Sequence, residues 1–161
     1  MSAIRFRDAV PGDTGRVLWF VRALAEYEKL LHEVEATEAE LDRALFGDPP
    51  RCHAMFAELD GVPIGFGLWF YNFSTFMGRA GLYVEDVFVL PEHRGKGVGR
   101  AIFGELARRA IAEGCKRMDW WVLNWNAPAI KFYGAIGATP MDEWTVQRLS
   151  GDALVAMAAG R

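Results

Sequence analysis

Apolar and polar positions alternate from Ile4 to Arg7, the pattern of a strand with one face in a core. Pro11-Gly12-Asp13-Thr14 then turns the chain, with Asp13 placed to cap a helix from Thr14 to Leu30. Val17, Leu18, Val21, Leu24 and Ala25 recur on one face of that helix. Thr37, with Glu40 three residues on, has the form of a capping box and opens a second helix through Leu45. Gly47-Asp48-Pro49-Pro50 stops it. Cys52 to Leu59 and Val62 to Phe73 read as two strands joined by the hairpin signal Asp60-Gly61. Gly78 marks the next turn, and Ala80 to Leu90 reads as a long central strand. A glycine-rich loop follows, then a helix from Gly99 to Glu113 that Gly114 closes. Lys116 to Leu123 is a strand rich in Trp and Val, Asn126 to Ile136 a short helix ended by Gly137, Trp144 to Leu149 a last strand, and Asp152 to Ala159 a terminal helix.

This order, β-α-α-β-β-β-α-β-α-β, predicts an α/β fold, a mixed sheet covered by helices on both faces. No repeat, linker or low-complexity stretch interrupts it, so residues 1–161 read as a single domain.

With 52% hydrophobic residues the chain can bury a substantial core. A net charge of −3 argues against a nucleic-acid or anionic-membrane partner and suits a cationic one. Cys52 and Cys115 are distant in sequence and read as packed thiols. His32, His53 and His93 have no ligand spacing, so no metal is expected, and no Ser-His-Asp or Cys-His arrangement is visible. The start of the chain carries Arg5, Arg7 and Asp8 and reads neither as a signal peptide nor as a membrane span, which predicts a cytoplasmic protein.

The stretch richest in chemistry is Val87-Phe88-Val89-Leu90-Pro91-Glu92-His93-Arg94-Gly95-Lys96-Gly97-Val98-Gly99-Arg100. It passes from a strand through a glycine turn into a helix start. Open N–H groups and the positive end of the helix dipole gather phosphate at such a point. Glycine lets the backbone take positive φ there and come close to the ligand. Arg94, Lys96 and Arg100 add positive charge. A dinucleotide-binding fingerprint would follow the first strand, whereas this loop follows about the fourth. A Walker loop needs Ser or Thr after the lysine, and Gly97 follows Lys96.

Arg94-x-x-Gly97-x-Gly99 resembles the pyrophosphate loop of the GNAT N-acetyltransferases, and Asn126-Ala-Pro-Ala129-Ile-Lys-Phe132-Tyr133 is similar to that family's second motif. Ala25-Glu26-Tyr27-Glu28-Lys29-Leu30, Leu82 to Val89 and Trp125-Asn126 resemble the diamine (spermidine/spermine) and thialysine acetyltransferases in particular. The resemblance runs from Ile4 to about Leu149. It departs between Gly137 and Trp144, where this chain is shorter, and Asp142 or Glu143 is the candidate to replace an acidic substrate contact kept there by those relatives.

The resemblance implies a mostly antiparallel, splayed central sheet and acetyl transfer from acetyl-CoA directly to a primary amine, a small polyamine or a lysine-like amine. It implies acetyl-CoA contacts from Val87, Phe88, Val89, the loop Arg94, Gly95, Lys96, Gly97, Val98, Gly99 and Arg100, and from Asn126 and Ala129. Strand backbone near Val87 to Val89 would carry the pantetheine arm and polarise the thioester carbonyl. Glu85 is implied as the general base, through a water, and Tyr133 as the acid that protonates the departing thiolate. Amine contacts fall to Tyr27, Glu28, Glu85, Asp86, Asp119, Trp120 and Trp121. Strict alternation puts Glu85 with Tyr83 and Val87 on one face and Asp86 on the other. The relatives are dimers, and Phe70, Phe73, Phe76 and Met77 offer apolar surface for a homodimer. The same fold also serves a protein N-terminus, a protein lysine or an aminoglycoside as acceptor, or a non-catalytic acetyl-CoA-binding module, and these alternatives stay open at this point.

Overall fold

The computed structural model describes residues 4–161. The chain divides into two compact units, one ending at Trp125 and one formed by Asn126–Arg161. The first unit contains β1 (Arg5–Asp8), α1 (Thr14–Tyr27), α2 (Glu38–Phe46), β2 (His53–Leu59), β3 (Val62–Ser74), β4 (Arg79–Val89), α3 (Val98–Ala112) and β5 (Met118–Asp119). The strands lie in the order β1-β2-β3-β4-β5. The first four are antiparallel to their neighbours, and β5 joins β4 in parallel.

Each face of this sheet has its own core. Under α3, Val98, Ile102, Leu106 and Ala110 pack on Met55, Ala57, Trp69, Leu82 and Val84. Across the sheet, Val17 and Phe20 of α1 and Leu45 of α2 pack on Ala54, Phe56, Phe66, Leu68 and Phe88. The buried stripe of α1 extends past the face read from the sequence to Phe20, whose ring stacks on Phe66 at 5.1 Å and lies 6.0 Å from Phe56. Gly65 and Gly67 let α3 sit close. A Cβ at Gly65 would come within 2.9 Å of the Phe88 carbonyl oxygen and 3.2 Å of Ile102 Cδ1.

Local signals set several boundaries. Thr37 Oγ1 accepts from the Glu40 amide, and Glu40 Oε2 accepts from the Thr37 amide at 2.9 Å, closing the capping box at α2. Asp13 stands at the start of α1 but does not cap it. Its carboxylate accepts instead from the Val10 amide at 2.9 Å and from Arg7 Nη1 at 2.7 Å, because its backbone is already helical and turns the side chain back over the loop. α1 stops at Tyr27, short of the expected Leu30. Lys29 takes a left-handed φ of 62°, the Lys29 amide bonds Glu26 O, and the Leu30 amide bonds Ala25 O, a Schellman closure with lysine in the glycine position.

Two expected strands come out differently. Of Lys116 to Leu123, only Met118–Asp119 pairs with β4. Trp144 to Leu149 forms no strand; Trp144 is 74% exposed and Val146 56%. The alternation there is real in sequence, but a strand exists only where a neighbour supplies its ladder, and the second unit has none among the described residues. That unit consists of α4 (Ala127–Ala135) and α5 (Gly151–Ala158) with an irregular connection.

Candidate active site

The end of β4 opens. Its parallel ladder with β5 comprises Leu82 opposite Met118 and Tyr83 opposite Asp119. From Val84 to Val89 the β5-facing edge of β4 has no strand beside it among the described residues. The cause is visible in the other ladder. Leu68 faces Asp86 and Trp69 faces Val84, so Glu85 is an extra residue on β4, a bulge. A bulge bends its strand and sharpens its twist, and this one lies directly after the last β4–β5 pair.

The bulge also resets which face each side chain takes. Before it, Leu82 and Val84 belong to the core under α3. After it, Val87 and Val89 pack on that same core, while Phe88 joins the core under α1. Tyr83 and Val87 therefore lie on opposite faces, correcting the strict alternation expected from sequence. Asp86 shares the face of its cross-strand neighbour Leu68, the α1 side.

The open edge leads into the glycine turn. Gly95 and Gly97 have φ of 72° and 82°, and Gly97 stands just before α3 with no side chain closing the cap. The first-turn amides of α3 thus face the loop mouth without an intrahelical partner. Lys96 and Arg100 are exposed beside it. Arg94 is held at the base of the loop: its Nε donates to the Val89 carbonyl at 2.9 Å, and its guanidinium lies 4.7 Å from the Tyr27 ring centre and 5.0 Å from that of Phe88. One cation thus ties the loop both to the end of β4 and to the end of α1.

On the α1 side of β4 the carboxylates gather. Burial, then the charges of Glu85 and Glu28, push the Asp86 carboxyl up to about 7. Burial raises Glu28 at the end of α1. Burial, then Glu85 and Asp119, push the Tyr83 hydroxyl up to about 12. Burial, then Glu85 and Asp86, raise the Cys52 thiol. Groups from α1, β4, β5 and the segment before β2 therefore share one electrostatic neighbourhood. An acidic, partly desolvated site of this kind attracts a cation.

The expected amine contacts separate on inspection. Glu28, Glu85 and Asp86 are brought together, and Tyr27 lies beside them on α1, its ring 6.1 Å from Trp125. Asp119 is paired with Arg117 at 2.9 Å. Trp120 packs on Phe103 of α3, ring centres 4.9 Å apart, on the other side of the sheet. Trp121 meets the edge of Tyr83 at 6.2 Å. Phe70 is half-buried against Tyr83 rather than exposed. Tyr83 and Cys52, to which the sequence alone assigns no role in the site, belong to the cluster. Tyr83 stands two residues from Glu85, a weak signal; Cys52 is brought in only by the fold.

In the second unit Asn126 caps α4, its Oδ1 accepting from the Ala129 amide at 3.4 Å, and Tyr133 sits one position after Phe132 with ring centres 5.5 Å apart. Among the described residues no helix is long and apolar enough to cross a membrane.

Known proteins are similar to this chain along most of its length. The thialysine N-epsilon-acetyltransferase of Bos taurus is 37% identical to this chain, with 96% of each covered. The L-ornithine N5-acetyltransferase of Arabidopsis thaliana is 29% identical over 95% of this chain and 87% of its own. A solved integron cassette protein from the mobile metagenome of V. cholerae superposes with a TM-score of 0.79 at 28% identity, covering 98% of both chains. The model of the acetyltransferase (GNAT) family matches residues 19–138, a span holding the bulged strand, the glycine turn and α4, and with it this chain belongs to the GNAT acetyltransferases.

Proposed function

We propose that this enzyme acetylates the primary amine of a small molecule carrying a second positive charge, a polyamine or a lysine-like amino acid, with acetyl-CoA as donor. The observation that carries the reading is the cluster of Glu28, Glu85 and Asp86 beside the unpaired end of β4, which runs straight into the glycine turn. A dication answers several carboxylates at once, where a neutral or singly charged acceptor would leave some of this partly desolvated negative charge uncompensated.

The chain's features suit the donor. Open amides at Gly97, Val98 and Gly99, with Lys96 and Arg100 beside them, would hold a pyrophosphate. The β5-facing edge of β4 over Val87, Phe88 and Val89 has no strand beside it and is open to an extended amide-bearing arm. Arg94 fixes the loop against Val89 and Tyr27. Asn126 and Ala129, at the start of α4, are assigned to the same cosubstrate. Tyr133 is assigned the proton for the leaving thiolate, which a phenol hydroxyl can donate. The carboxylate pair Glu85–Asp86 supplies the base that an ammonium needs before it can attack. Residues 1–161 work in this reading as one catalytic domain.

Exposed Phe73, Phe76 and Met77 at the β3–β4 turn, with Phe76 97% exposed, support a homodimer. Two free cysteines and a coenzyme A thioester as donor suit a cytoplasmic setting.

Thiol release from acetyl-CoA against spermidine, thialysine, ornithine, an N-terminal peptide and an aminoglycoside tests the reading. Turnover on the small dicationic amines is expected. Turnover confined to the peptide or the aminoglycoside would move the acceptor class, and CoA binding with no turnover on any amine would defeat catalysis altogether.

A further inference from the structure

We infer that Lys29 determines which amine is accepted: its ammonium receives the carboxylate of a lysine-like amino acid whose side-chain amine is acetylated, and it turns polyamines away. This deepens the amine-acetyltransferase reading above and rests on it.

Lys29 is a backbone outlier. Among the described residues, Lys29 and Asp60 are the non-glycine positions with positive φ, 62° and 52°. Asp60 stands with Gly61 in the β2–β3 hairpin turn, a conformation that Asp tolerates. Lys29 closes α1 through its own amide and that of Leu30. Neither bond involves the lysine side chain, and glycine would make both without steric cost. Strain held by a side chain points to a use for that side chain.

The contacts of the ammonium show the use. Lys29 Nζ lies 5.5 Å from the ring centre of Trp125, and that ring lies 6.1 Å from the ring of Tyr27. Tyr27 in turn carries the Arg94 guanidinium at 4.7 Å, which reaches Phe88 and the Val89 carbonyl. These contacts make one wall from the end of α1 to the open end of β4. The nitrogen to be acetylated has to reach that open end, because the thioester would lie along Val87 to Val89. The methylenes of the acceptor then run along the exposed rings of Tyr27 and Trp125, and its far end comes to Lys29.

Two opposite charges meet it there. Lys29 is exposed, and among the described residues no carboxylate is paired with it. Its chain neighbour Glu28 does not neutralise it: burial raises the Glu28 carboxyl, and no cation offsets that rise. The Trp125 ring steadies the ammonium without cancelling its charge. An α-ammonium beside an α-carboxylate matches Glu28 and Lys29 charge for charge. A polyamine brings positive charge alone to the same place and is repelled by Lys29. A like charge set against the wrong ligand discriminates just as an opposite charge favours the right one.

The test uses the full chain and two pairs of acceptors that differ by the carboxylate alone, ornithine with putrescine and lysine with cadaverine. The wild type should favour the amino acid of each pair in kcat/KM. Lys29→Gln should lower kcat/KM for the amino acid, mainly through KM, and raise it for the diamine, so that their ratio falls about 5- to 10-fold. Lys29→Glu should invert the preference. Lys29→Gly relieves the backbone strain while removing the charge, and it should change the ratio as Lys29→Gln does. A displaced end of α1 would lower both members of a pair together and leave the ratio where it was. Calorimetry with CoA bound supplies a readout besides turnover: ornithine should bind the wild type more tightly than putrescine, and Lys29→Gln should abolish the difference. A wild type that favours the diamines, or a ratio that Lys29→Gln and Lys29→Gly leave in place, overturns the inference while amine acetylation stands. If no amine is acetylated, the function itself fails, and the calorimetric difference still judges Lys29, its absence overturning the inference.

Discussion

The guanidinium of Arg94 lies 4.7 Å from the centre of the Tyr27 ring, joining the loop that leads into α3 to the last turn of α1. Its Nε is spent on the Val89 carbonyl at 2.9 Å. A planar, delocalised cation with a directed Nε is needed for both contacts, and lysine offers neither the plane nor that donor. An exposed cation–π contact contributes about 0.5–1 kcal/mol and a net hydrogen bond about 0.5–1.5. Arg94→Lys should therefore cost about 1–2 kcal/mol, roughly a 5- to 30-fold rise in KM for acetyl-CoA. Because Tyr27 loses its neighbour, KM for the amine should rise too. Steady-state kinetics with each substrate varied in turn checks this, and an effect on neither KM would leave the Arg94 link without a functional meaning.

Lys29 offers a stability prediction of the opposite sign. It holds φ at 62° to close α1, in a position where a side chain costs about 1–2 kcal/mol and glycine costs nothing sterically. Against that, its Nζ lies 5.5 Å from the Trp125 ring centre, an exposed contact worth less than the strain. Lys29→Gly should stabilise the protein by about 0.5–1 kcal/mol, a rise in melting temperature of roughly 1–4 °C for a chain of this size. A fall would show that the lysine contact outweighs the backbone strain.

These sites also show what the sequence could and could not tell. The capping box at Thr37 and Glu40 and the glycine closure after α3 are legible because every atom involved lies within a few residues. The glycine turn before α3 is legible for the same reason. Glu85 is different. A bulge is a property of two strands in register, and nothing between Leu82 and Val89 announces that Trp69 will skip a residue on its partner. The gathering of Glu28, Cys52 and Asp86 depends on that register and on where α1 ends, so composition could suggest a cationic substrate but could not show which carboxylates converge. The Trp144–Leu149 segment fails from the other direction: its alternation is local, and the neighbour that would make it a strand is not.

Gly65 tests how far the sheet depends on close approach. Glycine inside a strand is a weak sequence signal that gains meaning from the 2.9 Å between a Cβ there and the Phe88 carbonyl. That oxygen belongs to β4 backbone and cannot swing aside as a side chain could. Gly65→Ala should gain about 0.4–1 kcal/mol through the unfolded chain but lose about 1–3 kcal/mol to overpacking, for a net loss read by urea denaturation. Since the displaced carbonyl lies on the open end of β4, affinity for CoA should fall in the same variant. A stabilised Gly65→Ala with unchanged CoA affinity would mean that β4 shifts without cost.

Asp86 links catalysis to stability through pH. Its carboxyl is held near 7 in the folded chain, against an ordinary aspartate value near 3.9 when unfolded. Between those values the folded state binds more protons than the unfolded state, so stability must fall as pH rises through that window and stay lower above it. Below about pH 4 both states are protonated and the group contributes nothing against folding. Above about pH 7 the folded chain carries a desolvated charge near Glu85 and Glu28, a penalty on the order of a few kcal/mol. Asn at this position resembles the protonated acid and has no charge to desolvate. Asp86→Asn should therefore unfold at higher denaturant concentration than the wild type at pH 8 and at nearly the same concentration at pH 4.5, with the gap widening between them. If the gap has the opposite sign, or does not change with pH, Asp86 is not the strained carboxylate that the ladder register makes it, and the stability given up for a base beside the amine would have to lie elsewhere.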